Sequence, residues 1–121
     1  MSFVFEDESE AWLRELFENH YEEALSRVSS LLEMTTVDEH GCMVTATQAR
    51  RKVRFRGRQV AAYRFIYCVR HRATLREDEV VRHRCHNRLC CNVEHLVEGS
   101  AADNKRDDWD HWANGTDHQL L

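Results

Sequence analysis

The chain has 121 residues and a formal net charge of −4, a length that suits one domain with a modest hydrophobic core. It contains no run of about 18 apolar residues, which excludes a membrane-spanning helix, and the acidic start MSFVFEDESE lacks the pattern of a secretory signal. Five cysteines, an odd number, favour metal binding in a reducing, intracellular setting over a disulfide framework.

The charge is divided unevenly along the chain. Residues 1–40 carry eleven Asp and Glu against two Arg, whereas residues 41–121 carry fifteen Lys and Arg against ten Asp and Glu. The basic excess suits nucleic-acid binding, although a solvated charged surface is the simpler explanation for charge alone. We expect a single domain over residues 1–121, with an acidic helical segment at 1–40 and a core at 41–121.

The first predicted element is one long amphipathic helix from about Glu8 to Leu32. Its apolar residues recur in steps of three and four, which places them on one face, and its other face is acidic. This face should pack on the core or on a partner subunit. The apolar residues are Trp12, Leu13, Leu16, Phe17, Tyr21, Leu25, Val28, Leu31 and Leu32.

A basic β-ribbon is predicted next. GCMVTAT (41–47) indicates a short strand, and RRKVRFRGR (50–58) has six basic and no acidic side chains. Val53 and Phe55 alternate with basic residues, which is typical of a half-buried strand, and Gly57 suits the turn into a returning strand. Lys52, Arg54 and Arg56 are expected on the exposed face.

The remaining elements complete an α+β fold rich in loops. VAAYRFIYCVRHR (60–72) suits a short helix with Tyr63, Ile66, Tyr67 and Cys68 facing inward, and EVVRH (79–83) suits a strand. A last helix should begin near Ser100, with Ser100 as its N-cap.

The segment RHRCHNRLCCNVEHL (82–96) concentrates potential metal ligands. Cys85, Cys90 and His95 lie at spacings of five, and structural zinc takes four nitrogen and sulfur ligands in a tetrahedron. Cys42 is the predicted fourth ligand, which would connect the first strand to this loop and stabilise a small core.

Two residues next to this ligand set remain possible ligands on sequence grounds. Cys91 is an alternative to Cys90, and His86 is an alternative to His95. Buried free thiols without a metal would be the simplest explanation, but the local density of cysteine and histidine argues against it.

The stretch HRCHNRLCCNVEHLVEGSAADNKRD (83–107) resembles the zinc-binding loop and following helix of the His-Cys box homing endonucleases. The same order of residues recurs in phage HNH-type nucleases, and all belong to the His-Me finger, or ββα-metal, superfamily. The resemblance covers about residues 41–108, is closest over 82–106 and excludes 1–40. It implies a ββα-metal core with a structural zinc loop.

The resemblance also implies roles for single residues. His83 matches the catalytic histidine, Asn104 matches the asparagine that holds the catalytic magnesium, and Arg58 is an approximate match for an arginine at the scissile phosphate. The matched zinc ligands are Cys42, Cys85, Cys90 and His95. Val93 replaces the usual proline, a second zinc cluster has no counterpart, and the short C-terminal extension leaves a homodimer open.

The matched residues suit phosphodiester hydrolysis. A neutral imidazole accepts a proton from water near pH 7, and the charges of Arg82 and Arg84 would disfavour the protonated form of His83. Mg²⁺ commonly keeps its waters and takes oxygens from a substrate phosphate, so Asn104 could be its one protein ligand. Asp103 and Asp107 are alternative ligands, although solvated helix carboxylates are the simpler interpretation.

The ribbon is the predicted DNA contact because a two-stranded ribbon fits the major groove and arginine binds phosphates and guanine edges. A solvated edge strand protected by charge is the alternative. The candidate contacts are Arg50, Arg51, Lys52, Arg54, Arg56 and Arg58.

The sequence thus predicts a Mg²⁺-dependent, zinc-stabilised endonuclease acting on double-stranded DNA in the cytoplasm or nucleoid, of a host cell if phage-encoded. A zinc-stabilised DNA-binding module without cleavage is the main alternative. A third hypothesis is an interaction protein whose acidic helix blocks the basic ribbon.

Overall fold

The computed structural model describes residues 6–45 and 51–100, and within these ranges the predicted α+β class is confirmed. Two helices are followed by two antiparallel strand pairs, a third helix and a third antiparallel strand pair. The elements are α1 (Glu8–Asn19), α2 (Tyr21–Glu33), β1 (Thr36–Val37), β2 (Met43–Val44), β3 (Lys52–Phe55), β4 (Arg58–Ala61), α3 (Ala62–His71), β5 (Glu79–His83), a 3₁₀ turn (Val93–His95) and β6 (Leu96–Ser100).

The prediction of one long N-terminal helix is wrong, because the chain breaks at His20 into α1 and α2. His20 leaves the helical conformation, with φ −137° and ψ 23°. A straight helix over residues 8–32 would be about 37 Å long, longer than a domain of this size is wide. The break lets each half pack its own apolar face. The apolar spacing of four continues across the break, so the sequence pattern did not reveal it.

The two acidic helices are part of the same core as the ribbon. Leu16 of α1 and Val28 of α2 are fully buried in one cluster with Phe55 of β3 and Phe65 of α3. Burial of such side chains contributes roughly 1.5–3 kcal/mol each. The helices therefore contribute to the fold and are not a detachable cover over the ribbon.

The ribbon has the predicted strands and turn. Strands β3 and β4 pair from Lys52↔Ala61 to Phe55↔Arg58, which leaves Arg56 and Gly57 as a two-residue turn. Both turn residues have positive φ (48° and 83°), the conformation of a type I′ hairpin turn, and glycine adopts it without strain. Arg56 was expected on the exposed strand face with Lys52 and Arg54. It instead belongs to the turn, so that prediction is wrong for Arg56.

A hairpin of β5 and β6 carries the cysteine-rich loop. Its strands pair from Glu79↔Ser100 to His83↔Leu96, and the Arg84 N–H donates to the His95 carbonyl (2.8 Å) at the loop's base. Strand β6 was not predicted, because it depends on pairing with a strand 12 or more residues away. Loop residues 84–95 therefore connect the two strands at one end of this hairpin, where His83 pairs with Leu96.

Three predicted features lie outside the described residues: Arg50, the helix after Ser100 and Asn104 with its neighbours Asp103 and Asp107. The short strand predicted over 41–47 is seen at Met43–Val44, where it pairs with β1, an element that the sequence did not indicate. In residues 6–45 and 51–100, no helix is long and apolar enough to cross a membrane.

Candidate metal centre and adjoining histidine

Four buried side chains converge between the β2 end and the β5–β6 loop. The ligand atoms of Cys42, Cys85, Cys90 and His95 all lie within 4.8 Å of one another. The Sγ atoms of Cys42 and Cys90 are each 3.6 Å from Nδ1 of His95. The predicted cluster is therefore confirmed, including its distant member.

The spacing of these atoms fits a tetrahedral zinc site. Zinc binds thiolate sulfur at about 2.3 Å and imidazole nitrogen at about 2.0–2.1 Å, so a tetrahedron separates the two ligand atoms by about 3.5–3.6 Å. The two measured sulfur–nitrogen distances of 3.6 Å agree with that value. Three thiols and one imidazole, all buried, are also the donor set of structural rather than catalytic zinc.

A tight turn positions Cys42. The Asp38 carboxylate accepts the N–H of Cys42 at 2.9 Å, and the Cys42 carbonyl accepts the N–H of Asp38 at 2.9 Å. Gly41 precedes Cys42 with φ +80°, a conformation that favours glycine, and a Cβ at that position would lie 3.5 Å from the His95 ring. This turn therefore positions Cys42, and its Gly41 packs against the ring of His95, a second candidate ligand.

Asn92 connects the loop to that turn. Its Nδ2 donates to the Gly41 carbonyl at 2.8 Å, while its Oδ1 accepts the N–H of Glu94 and caps the 3₁₀ turn that ends at His95. The Asn92 N–H also donates to the Cys90 sulfur at 3.4 Å. Asn92 therefore contacts the Cys90 sulfur directly and holds the segments that carry Cys42 and His95, as residues around a metal site commonly do.

The three cluster thiols do not ionise equally. A hydrogen bond from the Cys85 thiol lowers the pKa of Cys90 to about 5, and the same bond raises the pKa of Cys85. Burial raises the pKa of Cys42 to about 11. The protein alone thus favours one thiolate among the three, and a divalent cation would supply the charge that ionises the other two.

The structure decides between the alternative ligands. Cys91 faces away from the cluster and lies in the apolar core with Val53 and Phe55, where burial raises the pKa of its thiol. His86 follows Cys85 in a left-handed conformation with φ +57° and is not part of the cluster. Adjacent residues of an irregular loop point in different directions, so spacing alone could not select Cys90 and His95.

His83 is the last residue of β5 and lies directly beside the metal cluster. Its side chain is 9% exposed, and its Nε2 is 3.2 Å from the carbonyl oxygen of Cys90. A carbonyl oxygen only accepts hydrogen bonds, so Nε2 carries the proton in this contact. In the neutral ring, Nδ1 is then the nitrogen that carries no proton.

An aromatic side chain contacts the same imidazole. The Tyr63 ring, in the first turn of α3, meets the His83 ring edge-on, with centroids 4.3 Å apart and planes at 60°. Tyr63 was predicted to be an inward-facing helix residue, and it is half-buried against both clusters of the core. No sequence signal indicated this contact, because it joins residues 20 positions apart.

The basic residues of the ribbon fall into two groups. Lys52 and Arg54 are exposed, and neither pairs with a carboxylate in the described ranges. Their strand neighbours Val53 and Phe55 are buried beneath them. This exposed pair is free to meet a polyanion.

The other arginines have partners within the protein. Arg56 forms an ion pair with Glu23 of α2, and Arg58 pairs with Glu77 at 2.7 Å. Arg58 also lies 3.9 Å from Glu8. The Arg51 guanidinium donates to the Leu31 carbonyl at 3.0 Å, at the end of α2. Charge count alone therefore overstated the number of ribbon cations that have no partner within the described part of the protein.

One comparison with known proteins gives a match in the region of the candidate site. A family model described as HNH endonuclease matches residues 69–106. The matched region contains His83, Asn104 and the candidate metal ligands Cys85, Cys90 and His95, and it leaves out Cys42 and the ribbon. No curated protein and no solved structure matches the chain.

Proposed function

We propose that this protein is an endonuclease that hydrolyses phosphodiester bonds in double-stranded DNA, with His83 as general base. The observation that carries the proposal is the hydrogen bond from His83 to the backbone of Cys90, which joins a candidate base to a metal-ligand loop. The family model described as HNH endonuclease supports the same reaction class.

The proposed chemistry follows from the tautomer of the His83 imidazole. With Nε2 donating to the Cys90 carbonyl, Nδ1 accepts the proton of an attacking water. The water oxygen then forms a bond to phosphorus while the bond from phosphorus to the 3′ oxygen breaks, and the leaving oxygen takes a proton from solvent. A correctly placed general base typically contributes about 10²–10⁴ in rate.

Two metals have separate roles in this proposal. Zinc, held by the four-residue cluster, would fix the loop and so the carbonyl that orients His83. Mg²⁺, when bound, supplies Lewis-acid stabilisation of the departing oxygen. Asn104 is its proposed ligand on the strength of the sequence resemblance, and Asp103 and Asp107 are the alternatives.

The ribbon is the proposed DNA contact, with Lys52 and Arg54 as its principal residues. They are exposed and lack carboxylate partners in the part of the chain that the structure describes. Arg58 remains the proposed clamp for the scissile phosphate, and it would have to exchange Glu77 for the phosphate to act there. Arg50, Arg51 and Arg56 remain secondary contacts in the proposal.

The narrower features of the proposal rest on the resemblance. The register of His83, Cys85, Cys90, His95 and Asn104 supports a ββα-metal core of the His-Cys box type, and a homodimer would let two such sites cut both strands. All five cysteines are free thiols, which suits an intracellular location in the cytoplasm or nucleoid.

Cleavage of supercoiled plasmid by zinc-loaded protein, with Mg²⁺ added back, tests the proposal. We expect wild type to nick or linearise the plasmid and His83→Ala to lose at least about 10²-fold in rate. His86→Ala is the matched control, because His86 lies in the same loop but outside the metal cluster, and it should retain activity. Equal cleavage by wild type and His83→Ala would refute the assignment of the base.

A second candidate function is DNA binding without cleavage. It is favoured by the exposed Lys52 and Arg54 pair, which serves binding whether or not His83 reacts. Salt-sensitive binding of duplex DNA, with no cleavage by wild type in Mg²⁺ or Mn²⁺, would select this function over the nuclease.

A further inference from the structure

We propose that the depression beside Arg58 is a binding subsite for a backbone phosphate of nucleic acid, and that Glu77 is the internal competitor at that subsite. The inference rests on the proposed function for the identity of the phosphate, but the pairing of Arg58 with Glu77 is a property of the folded protein. Its basis is a guanidinium edge of which only one nitrogen has a partner among the described residues.

The ion pair with Glu77 uses half of that edge. One edge of a guanidinium carries the N–H groups of Nε and Nη2, which together match two oxygens of a carboxylate or a phosphate. Nη2 of Arg58 donates to Oε1 of Glu77 at 2.7 Å, whereas Nε is buried and forms no hydrogen bond within residues 6–45 and 51–100. A buried donor without a partner costs free energy, so an anion that engages both nitrogens has an advantage over Glu77, which engages one.

The depression beside Arg58 has the room and the charge for a phosphate group. Its volume is about 280 Å³, and it is open to solvent. Arg64 also lines it, and the Arg64 guanidinium donates to the carbonyls of Glu79 and Arg76, which are neutral acceptors and do not compensate its charge. Glu77 is the one carboxylate among the described lining residues. Displacement of Glu77 would therefore leave two cations facing the incoming anion.

Glu77 can leave Arg58 without unfolding its own segment. Its side chain is 52% exposed, and its backbone is held separately, because its N–H donates to the Asp7 carboxylate at 2.6 Å. The Ser9 hydroxyl holds the same segment by donating to the Leu75 carbonyl at 2.8 Å. A rotation of one exposed side chain is thus enough to open the guanidinium edge. Every phosphate that binds there must first displace Glu77, which weakens binding of any duplex.

Binding of duplex DNA by the zinc-loaded full-length chain, without Mg²⁺ so that no cleavage follows, tests the inference. Glu77→Gln removes the competing charge and keeps the side-chain size. It should tighten binding roughly two- to fivefold, the scale of one exposed ion pair. Asp78→Asn is the matched control, because it removes the same charge at the next residue, whose carboxylate pairs with Arg76. It should change binding by less than about 1.5-fold at about 0.15 M salt, which screens exposed charges.

A double-mutant cycle assigns the gain to Arg58. In an Arg58→Ala background, Glu77→Gln should have no effect, because the gain requires the guanidinium that Glu77 occupies. Unchanged binding by Glu77→Gln would overturn the inference. Equal gains in Glu77→Gln and Asp78→Asn, or the same gain with and without Arg58, would also overturn it, since either result would show a general effect of net charge.

Titration with inorganic phosphate gives a readout that does not depend on DNA. The Nε–H resonance of Arg58, identified by its absence from Arg58→Lys, should shift saturably with phosphate in Glu77→Gln, and at higher phosphate concentration in wild type. No saturable shift in Glu77→Gln would overturn the subsite. If the shift is seen but wild type neither binds nor cleaves DNA, the proposed nuclease fails and the phosphate subsite stands.

Discussion

The Nε2 atom of His83 lies 3.2 Å from the carbonyl oxygen of Cys90, so the candidate base is hydrogen-bonded to the backbone of a candidate metal ligand. The Cys90 sulfur in turn lies 3.6 Å from Nδ1 of His95. A displacement of Cys90 would therefore alter both the candidate metal cluster and the hydrogen bond of the candidate base, His83. Zinc at this site would serve catalysis by fixing a carbonyl, without touching substrate.

Removal of one metal ligand should unfold the loop and lower stability. We expect Cys42→Ser to lose bound zinc and to melt at least about 10 °C below wild type, since a structural metal contributes several kcal/mol and each kcal/mol shifts Tm by about 4–8 °C in a small domain. Metal analysis and thermal melting check this. Cys91→Ser is the control, because its thiol lies in the apolar core, and it should retain one zinc. A stoichiometric zinc content in Cys42→Ser would contradict the ligand set.

The exposed pair of the ribbon should dominate DNA binding. Lys52→Ala combined with Arg54→Ala should weaken binding to any duplex and reduce the slope of log K against log salt by about 2, because two phosphate contacts are lost. Arg56→Ala should have a smaller effect, because Arg56 is already paired with Glu23. Fluorescence anisotropy across a salt series measures both. An equal loss in the two variants would show that ion pairing within the protein does not restrict Arg56.

The capping carboxylate of Asp7 gives stability that depends on pH. Its pKa is lowered from 3.8 by the N–H of Glu10, with help from the N–H of Glu77 and the charge of Arg76. The stabilisation is thus present above the unfolded value and is lost as pH falls through the lowered one. Asp7→Ala should melt below wild type near neutral pH, and the gap should close as the pH falls below the unfolded value of 3.8 and through the lowered folded value.

The control for this prediction is Asp78→Ala, because that carboxylate is 81% exposed and pairs only loosely with Arg76 at 3.6 Å. Its melting temperature should follow wild type at every pH. A constant gap between Asp7→Ala and wild type down to pH 2 would contradict the role of the charged form.

The N-terminal helices should be indispensable to folding. Leu16→Ala opens a cavity in the buried cluster and should cost about 2–5 kcal/mol, whereas Val37→Ala, at a residue 66% exposed, should change stability by less than about 0.5 kcal/mol. Denaturant unfolding measures both. On the same grounds, removal of residues 1–40 should unfold the protein. A folded truncation with stronger DNA binding would instead support the hypothesis that the acidic helices block the ribbon.

Local pattern was enough for much of this fold. The alternation around Val53 and Phe55, ended by Gly57, predicted the ribbon and its turn, and the strand ending at His83 was placed correctly. The candidate ligand types followed from residue type and local density, although spacing did not select Cys90 over Cys91 or His95 over His86. Each of these features is determined within a few residues, by side-chain periodicity or by the donor atoms that a metal accepts.

Only the tertiary structure decided the relationships between distant residues. The break at His20, the selection of Cys90 over Cys91 and the pairing of Arg56 with Glu23 all depend on which surfaces meet when the chain folds. The contact between Tyr63 and His83 is of the same kind. The sequence by itself identified the groups that could bind a metal and accept a proton, but packing determined how each is held, because distance and orientation arise from the whole core.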